Sequence, residues 1–317
     1  MITISDLHTA QSRLNGVTVR TRPIEFDHAD RSRRLYLKPE NHQPIGAFKL
    51  RGAYNKIASL SDDERERGVI SYSSGNHAQG VAYAARALGV KSVIVMPNNA
   101  PRIKREATAK LGAEIVLVGR GSDERKAKAE ELAAQHGYVV VPPYNDEKII
   151  AGQGTIGLEI LEDLPEVEAV FSPVGGGGLI SGVGTAIKLT NPKVKVIGVE
   201  PELAADAQAS LRAGKIVQWP AEQVSRTLAD GLRTQSIGDI NFEHMRRYVD
   251  DIVTVSEDEI REAMKLLAAN PKTVAEPSGA VATAGFFFRR DQLPSTKLNV
   301  AIISGGNIEP EMLKELR

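Results

Sequence analysis

The chain has 317 residues, with 40 Lys plus Arg against 40 Asp plus Glu and no cysteine. The balanced charge argues against a surface built for nucleic acid or an anionic membrane, and the missing cysteines exclude disulfides, thiolate metal sites and cysteine nucleophiles. With 42% hydrophobic residues the chain can bury a sizeable core, and its length points to two domains or one large α/β unit.

The opening MITISDLHTAQSRLNG has no basic segment followed by an apolar one, so no signal peptide is expected. No apolar run approaches the ~20 residues of a membrane span. A soluble, cytoplasmic protein is the expectation.

The first stretch of interest is PIGAFKLRGAYNK, residues 44–56. Lys49 stands between Phe48 and Leu50 at the start of a helix-like run. Surface lysines are common, but these apolar flanks predict partial burial. Desolvation lowers a lysine's pKa and leaves its amine ready to form a Schiff base. The first 60 residues could pack on either of the sheets predicted below.

From residue 68 onward strands and helices alternate. GVISYS (68–73), KSVIVMP (91–97), AEIVLVG (113–119) and YVVVPP (138–143) read as strands. NHAQGVAYAARALG (76–89), PRIKREATAKLG (101–112) and SDERKAKAEELAAQHG (122–137) read as the helices between them, the last with Ser122 as N-cap and Gly137 as stop. Short continuous apolar runs suit a parallel sheet covered on both faces.

A second series follows. Helices are predicted at 149–164, 179–190 and 257–270, and strands at 168–174, 193–201, 250–256 and 298–307. This predicts a second parallel sheet.

Three strand ends carry the chemistry. In SPVGGGGLISGVG, Gly175, Gly176, Gly177 and Gly178 lie between a strand and a helix. Backbone amides there can point at an anion, and the helix start favours negative charge. A nucleotide reading would use Glu200, at the end of the next strand, for a ribose. The glycines do not spell G-x-G-x-x-G, however, since Ile180 and Ser181 follow them, and no P-loop signature occurs.

In SYSSGNHAQG, Ser73, Ser74, Gly75 and Asn76 open a helix where a carboxylate could bind. His77, taken alone, is better read as making a local hydrogen bond. In IISGGN, Ser304 ends a strand at the crevice where open α/β sheets bind ligands.

A desolvated lysine, a phosphate cup, a carboxylate turn and a polar strand end together suit pyridoxal 5'-phosphate (PLP). In these residues the chain resembles the fold-type II PLP enzymes, in the threonine/serine dehydratase and serine racemase branch. The matching motifs are FKLRGA (48–53), SSGNHAQG (73–80), IAGQGT (150–155), PVGGGGLISG (173–182), GVEP (198–201), ADGLRT (229–234), EPSGA (276–280) and SGGN (304–307), in family order along almost the whole chain.

The resemblance implies two parallel or mixed α/β open-sheet domains, with the cofactor in the cleft between them. Residues 1–60 and 147–317 would form the large cofactor-binding domain, and 61–146 a small domain that closes on substrate. Lys49 would carry the cofactor as a Schiff base, and Phe48 would pack on its ring. Asn76 would bond the ring hydroxyl, residues 175–178 would hold the phosphate, and Glu276 would lie near the ring edge. Ser304 would face the pyridine nitrogen. A neutral hydroxyl there does not enforce a protonated ring, which favours elimination over transamination. Ser73, Ser74, Gly75, Asn76 and His77 would surround the substrate carboxylate.

The implied activity is L-threonine or L-serine ammonia-lyase, giving a 2-oxo acid and ammonia. Serine racemase is the alternative, because Ser74 could act as an acid/base opposite Lys49. A threo-3-hydroxyaspartate dehydratase is a third reading. The resemblance also implies a divalent cation (Mg, Mn or Ca) on Glu200, the carbonyl of Ala204 and Asp206, which displaces the ribose reading of Glu200. On spacing alone those two acids would be ordinary loop residues.

The chain departs from the family pattern at Ile45 and Ala47, where many relatives carry Thr and Ser, and at Pro142, where many carry His. No appended regulatory domain is expected after SGGN. A homo-oligomer, dimer or tetramer, is expected from resemblance.

Overall fold

A computed structural model describes residues 1–100, 102–119 and 122–316. The N-cap role expected of Ser122 rests on a side chain outside the described set, as does the helix start expected at Pro101.

Among the described residues ten strands form two sheets. In chain order they are β1 (Ile24–Phe26), β2 (Arg34–Pro39), β3 (Val69–Tyr72), β4 (Ser92–Pro97), β5 (Glu114–Val118), β6 (Val139–Val140), β7 (Ala169–Pro173), β8 (Lys195–Pro201), β9 (Asp251–Val255) and β10 (Leu298–Ile303). The larger sheet has the order β1-β2-β10-β7-β8-β9, and the smaller β5-β4-β3-β6. Only the β1–β2 pair is antiparallel; β2, β10, β7, β8 and β9 run parallel, as do all four strands of the smaller sheet. The two parallel series read from the sequence are therefore present. The expected strand over 138–143 is reduced to Val139–Val140; the Val141 amide still donates to the Ile70 carbonyl at 2.9 Å, but Pro142 and Pro143 have no amide to continue the ladder.

Burial explains the apolar runs. Phe171, Ile197, Val199, Val253 and Ile303 pack on one face of the larger sheet with the helices Glu257–Ala268 and Pro277–Phe288. The intervening Val170, Val196, Ile252, Val300 and Ile302 pack on the other face with the helices Glu147–Asp163, Gly178–Thr190 and Asp239–Tyr248. Successive side chains point to opposite faces, so a strand covered on both sides must be apolar throughout. The smaller sheet repeats this, with Val69, Ile94 and Met96 on one face and Ile70, Val93 and Val95 on the other.

The glycines of IAGQGT serve packing. A β-carbon on Gly154 would lie 2.8 Å from the carbonyl oxygen of Gly182, so only bare backbone lets the helices Glu147–Asp163 and Gly178–Thr190 approach this closely. The first 60 residues divide: β1 and β2 extend the larger sheet, while Leu50, Ala53 and Ile57 of the helix Lys49–Ala58 pack in the core of the smaller one. Among the described residues no helix is long and apolar enough to cross a membrane.

Candidate active site

The motif residues gather at the C-terminal ends of the parallel strands, where open α/β sheets form a crevice. β7 runs into residues 175–178, β10 into 304–307, and β3 into 73–77.

Lys49 opens its helix, and its Nζ donates to the Pro143 carbonyl at 2.7 Å. The same Nζ lies 5.2 Å from the centre of the Phe48 ring. Burial lowers its pKa to about 8, so the neutral, nucleophilic amine is accessible near physiological pH. The loop before it is tied to the end of β10. The Phe48 amide donates to the Ser304 carbonyl at 3.0 Å, the Gly306 amide to the Gly46 carbonyl at 2.9 Å, and Ala47 bridges Gly305. Lys49 and Ser304 are thereby held in one register.

Asn76 joins this centre through side chains. Its Nδ2 donates to Glu276 Oε1 at 2.6 Å, and its Oδ1 accepts from Asn307 Nδ2 at 2.8 Å. Glu276 is almost fully buried. Burial, aided by the charge of Asp230, pushes its carboxyl up to about 7 against the favourable Asn76 contact. The Ser304 hydroxyl donates to the Ser278 carbonyl at 3.3 Å.

Two helix starts here lack a side-chain cap. Gly75 precedes Asn76–Ala87 and Gly177 precedes Gly178–Thr190, and neither first turn carries an acid. Elsewhere Thr3, Ser61, Asp146 and Ser256 cap the helices that follow them. Uncapped amides with the helix's positive end leave room for an external anion. Gly177 has φ +91°, a left-handed conformation that glycine adopts without strain. At Gly176 a β-carbon would fall 2.2 Å from the Tyr144 ring, so the cup tolerates no side chain.

His77 makes a hydrogen bond, as expected, but to a partner distant in the chain. Its Nε2 faces the Val141 carbonyl at 3.0 Å in a buried setting. Burial and the nearby Lys49 charge lower its pKa to about 3, so the ring is neutral and donates to that carbonyl. Ser73 Oγ accepts from the Gly75 amide at 3.2 Å, shaping the turn that presents the half-buried Ser74.

The chain matches a model of the family described as "Pyridoxal-phosphate dependent enzyme" over residues 18–305. The chain belongs to this family. It is 48% identical to the L-threonine ammonia-lyase of Thermotoga maritima over 320 aligned positions, covering 100% of this chain and 78% of that protein. It is 44% identical to the L-threo-3-hydroxyaspartate ammonia-lyase of Saccharomyces cerevisiae over 275 positions, covering 87% and 83%. Among solved structures, maize serine racemase superposes with a TM-score of 0.93 at 36% identity, covering 98% of this chain and 95% of that one. The fold is that of the fold-type II PLP enzymes, and the cofactor of this family is PLP.

Two buried acids stand at the end of β8 and just beyond it. Glu200 ends β8 and is wholly buried, with Oε1 and Oε2 accepting from the amides of Ala207 and Gln208 at 3.0 and 2.8 Å. Asp206 is also wholly buried; its carboxylate oxygens make no side-chain hydrogen bond, and only its own backbone amide and that of Ile237 lie near enough to favour the charged form. Burial pushes Asp206 up to about 7, and burial plus the Asp206 charge pushes Glu200 up as well. Ala204, itself buried, lies between them at the end of the 3-10 turn Glu202–Ala204. Among the described residues no three His, Asp or Glu side chains form a metal cluster; the expected ligand set holds two carboxylates and a carbonyl.

Sequence reading missed the chain crossing at 141–146. Val141 receives His77, Pro143 receives Lys49, and Tyr144 covers Gly176. Two of these contacts are made by backbone carbonyls, which no residue type can announce. Asn307 was also overlooked as an anchor of Asn76, although it stands inside the SGGN motif.

Proposed function

We propose that this chain is an L-threonine/L-serine ammonia-lyase that uses PLP on Lys49. The observation that carries the reading is the desolvated Lys49 amine, tied through the Phe48–Ser304 backbone bond to a polar strand end. The identity to the Thermotoga maritima L-threonine ammonia-lyase supports the substrate. When bound, the cofactor supplies a sink for the electron pair left as the Cα–H bond breaks.

The chain's own residues do the rest. The amides of residues 175–178 hold the phosphate, and their lack of β-carbons keeps the cup open. Phe48 would pack against the cofactor's ring, Asn76 and Glu276 would meet its edge, and the Ser304 hydroxyl would meet its nitrogen. The turn at Ser73, Ser74, Gly75, Asn76 and His77 grips the substrate carboxylate with its amides. Neutral His77 shapes that turn without adding charge. The freed Lys49 Nζ takes the α-proton. The Cβ–O bond then breaks as the hydroxyl takes up a proton, so that the α-hydrogen and the β-hydroxyl are lost overall as one water, and addition of water to the released enamine gives a 2-oxo acid and ammonia. The part built on β3–β6, taken as residues 61–146, closes over the substrate and excludes water.

Ser74 supports a second activity. A hydroxyl in the carboxylate turn can return a proton to the face opposite Lys49, which would racemise serine. The 3-hydroxyaspartate reading is supported by the yeast relative.

We propose further that Glu200, the Ala204 carbonyl and Asp206 bind Mg²⁺, Mn²⁺ or Ca²⁺. Two buried carboxylates, satisfied only by backbone amides and facing no basic side chain that bonds them, are supported in their charged form by a cation. A homo-oligomer is proposed as well, supported by the apolar surface of Met1, Ile4 and Leu189 beside Tyr248; the mass in solution checks it.

The test of the activity is direct. Protein supplied with PLP is incubated separately with L-threonine, L-serine, D-serine and threo-3-hydroxyaspartate, and 2-oxo acid, ammonia and serine enantiomers are measured. The proposal expects L-threonine to give 2-oxobutyrate and ammonia in equal amounts. A folded, cofactor-loaded protein that forms neither would overturn it.

A further inference from the structure

Arg51 lies two residues beyond Lys49 in the same helix, and none of the roles above uses it. Its side chain is wholly buried among charges. Nε and Nη2 donate to Glu40 Oε2 and Oε1 at 2.8 and 2.9 Å, while Nη1 and Nη2 donate to Glu159 Oε1 and Oε2 at 2.7 and 2.9 Å. Lys38 Nζ donates to Glu159 Oε2 at 2.5 Å, and Thr21 Oγ1 to Glu40 Oε1 at 2.6 Å. Lys38 and Glu40 have no exposed surface, and Glu159 only 7%. Burial alone would raise the Glu40 carboxyl, but the charge and hydrogen bonds of Arg51 outweigh it and hold it below its ordinary range. Two cations thus face two anions.

Stability is a poor reason for such a cluster. Well-packed apolar residues of similar volume often do as well or better. What the cluster supplies is direction, because a guanidinium held by two carboxylates has its plane and position fixed. The partners belong to the body of the larger sheet. Lys38 lies in β2, Glu40 follows it, and Glu159 sits in the helix Glu147–Asp163, whose Ile156 and Ile160 pack under that sheet. The neighbouring Gly52 amide also donates to Gln153 Oε1 of that helix, at 3.2 Å. The opposite face of the Lys49 helix, with Leu50, Ala53 and Ile57, is packed in the core of the smaller sheet. One helix is therefore shared by two bodies, through directional bonds on one face and non-directional apolar contact on the other.

We propose that Arg51 is a positioning residue. Gripped by Glu40 and Glu159, it fixes the first turn of the Lys49 helix to the larger-sheet body. Lys49 Nζ then keeps its place relative to the glycine cup and Ser304 when the smaller sheet shifts. The inference rests on the reading that Lys49 bears the cofactor.

Arg51→Lys keeps the charge and removes the fork; Glu159→Gln keeps the partner's shape and removes its charge. For each, the rate at which apoprotein forms the Schiff-base absorbance band with PLP is followed against pH, together with thermal unfolding, kcat and KM for L-threonine. The expected result is band formation and kcat lower by on the order of 10- to 100-fold in Arg51→Lys. KM should stay within a few-fold of wild type, and the pH midpoint of band formation should shift. Wild-type rate and midpoint in a folded Arg51→Lys would overturn the inference even if its melting temperature fell. Should Arg51→Lys fail to fold, Glu159→Gln is judged by the same two readouts. A wild-type protein that forms no band at Lys49 would instead overturn the underlying reading and the inference with it.

Discussion

A β-carbon on Gly80 would lie 3.2 Å from both the carbonyl carbon and the carbonyl oxygen of Lys49. The helix Asn76–Ala87, whose start is proposed to bind the substrate carboxylate, thus rests on the backbone of the residue proposed to do the chemistry. The contact is tight enough that any side chain must push the two apart. Gly80→Ala should lower kcat for L-threonine about tenfold, and Gly80→Val should also cost about 1–3 kcal/mol of stability through overpacking. Kinetics paired with thermal unfolding check this; a Gly80→Val protein with wild-type kcat would show that the contact is slack.

The enclosure of Lys49 makes a pH prediction. With its pKa lowered from 10.5 to about 8, the neutral amine at pH 7 is about 300-fold more abundant than in an ordinary lysine. Schiff-base formation by apoprotein should rise with pH and level off above about 8. Stopped-flow absorbance across pH 6–11 measures the midpoint, and a midpoint near that of free lysine would mean that the amine is solvated.

Much of the site is legible in the amino-acid sequence alone, and the reason is physical. Strand-end motifs are local: four consecutive glycines, or a serine–glycine–asparagine turn, must sit together wherever the chain goes. What escapes a reading of the sequence depends on distance along the chain or on symmetry of burial. Nothing in RLYLKPE marks Lys38 and Glu40 as buried, since Glu159, which bonds Lys38, lies 121 residues away. The helix Pro277–Phe288 is buried nearly all round, so it shows no amphipathic period to find. β1 has only three residues and leaves almost no pattern. The pairing of Asn76 with Glu276 across 200 residues is likewise invisible, although each stands in a recognisable motif.

The proposed cation site on Glu200 and Asp206 predicts a link between stability, pH and cation. A buried carboxyl whose folded pKa is raised binds its proton more tightly folded than unfolded. Without cation, stability should therefore fall as pH climbs from the ordinary Asp value of 3.8 to about 7, and stay level below that window. A bound cation needs both groups ionised, so it should raise the melting temperature far more at pH 8 than at pH 5. Glu200→Gln with Asp206→Asn should abolish the cation response and stabilise the cation-free protein at pH 8. An equal Mg²⁺, Mn²⁺ or Ca²⁺ response in wild type and double variant would remove the site from the account.

Ser74 separates the two proposed activities. Ser74→Ala should eliminate interconversion of L- and D-serine while sparing elimination from L-threonine within about threefold, since only racemisation needs a proton donor on the second face. Chiral chromatography of the serine pool beside a 2-oxo acid assay reads both. Parallel loss of the two would mean that the hydroxyl serves the carboxylate turn instead.

The central claim is that Lys49 carries the cofactor. Borohydride reduction of the PLP-loaded protein, followed by proteolysis and mass mapping, tests it most directly. The account predicts a single phosphopyridoxyl adduct at Lys49 and loss of the absorbance band and of threonine turnover in the reduced protein. An adduct at another lysine, or none on a protein that still turns over L-threonine, would contradict it.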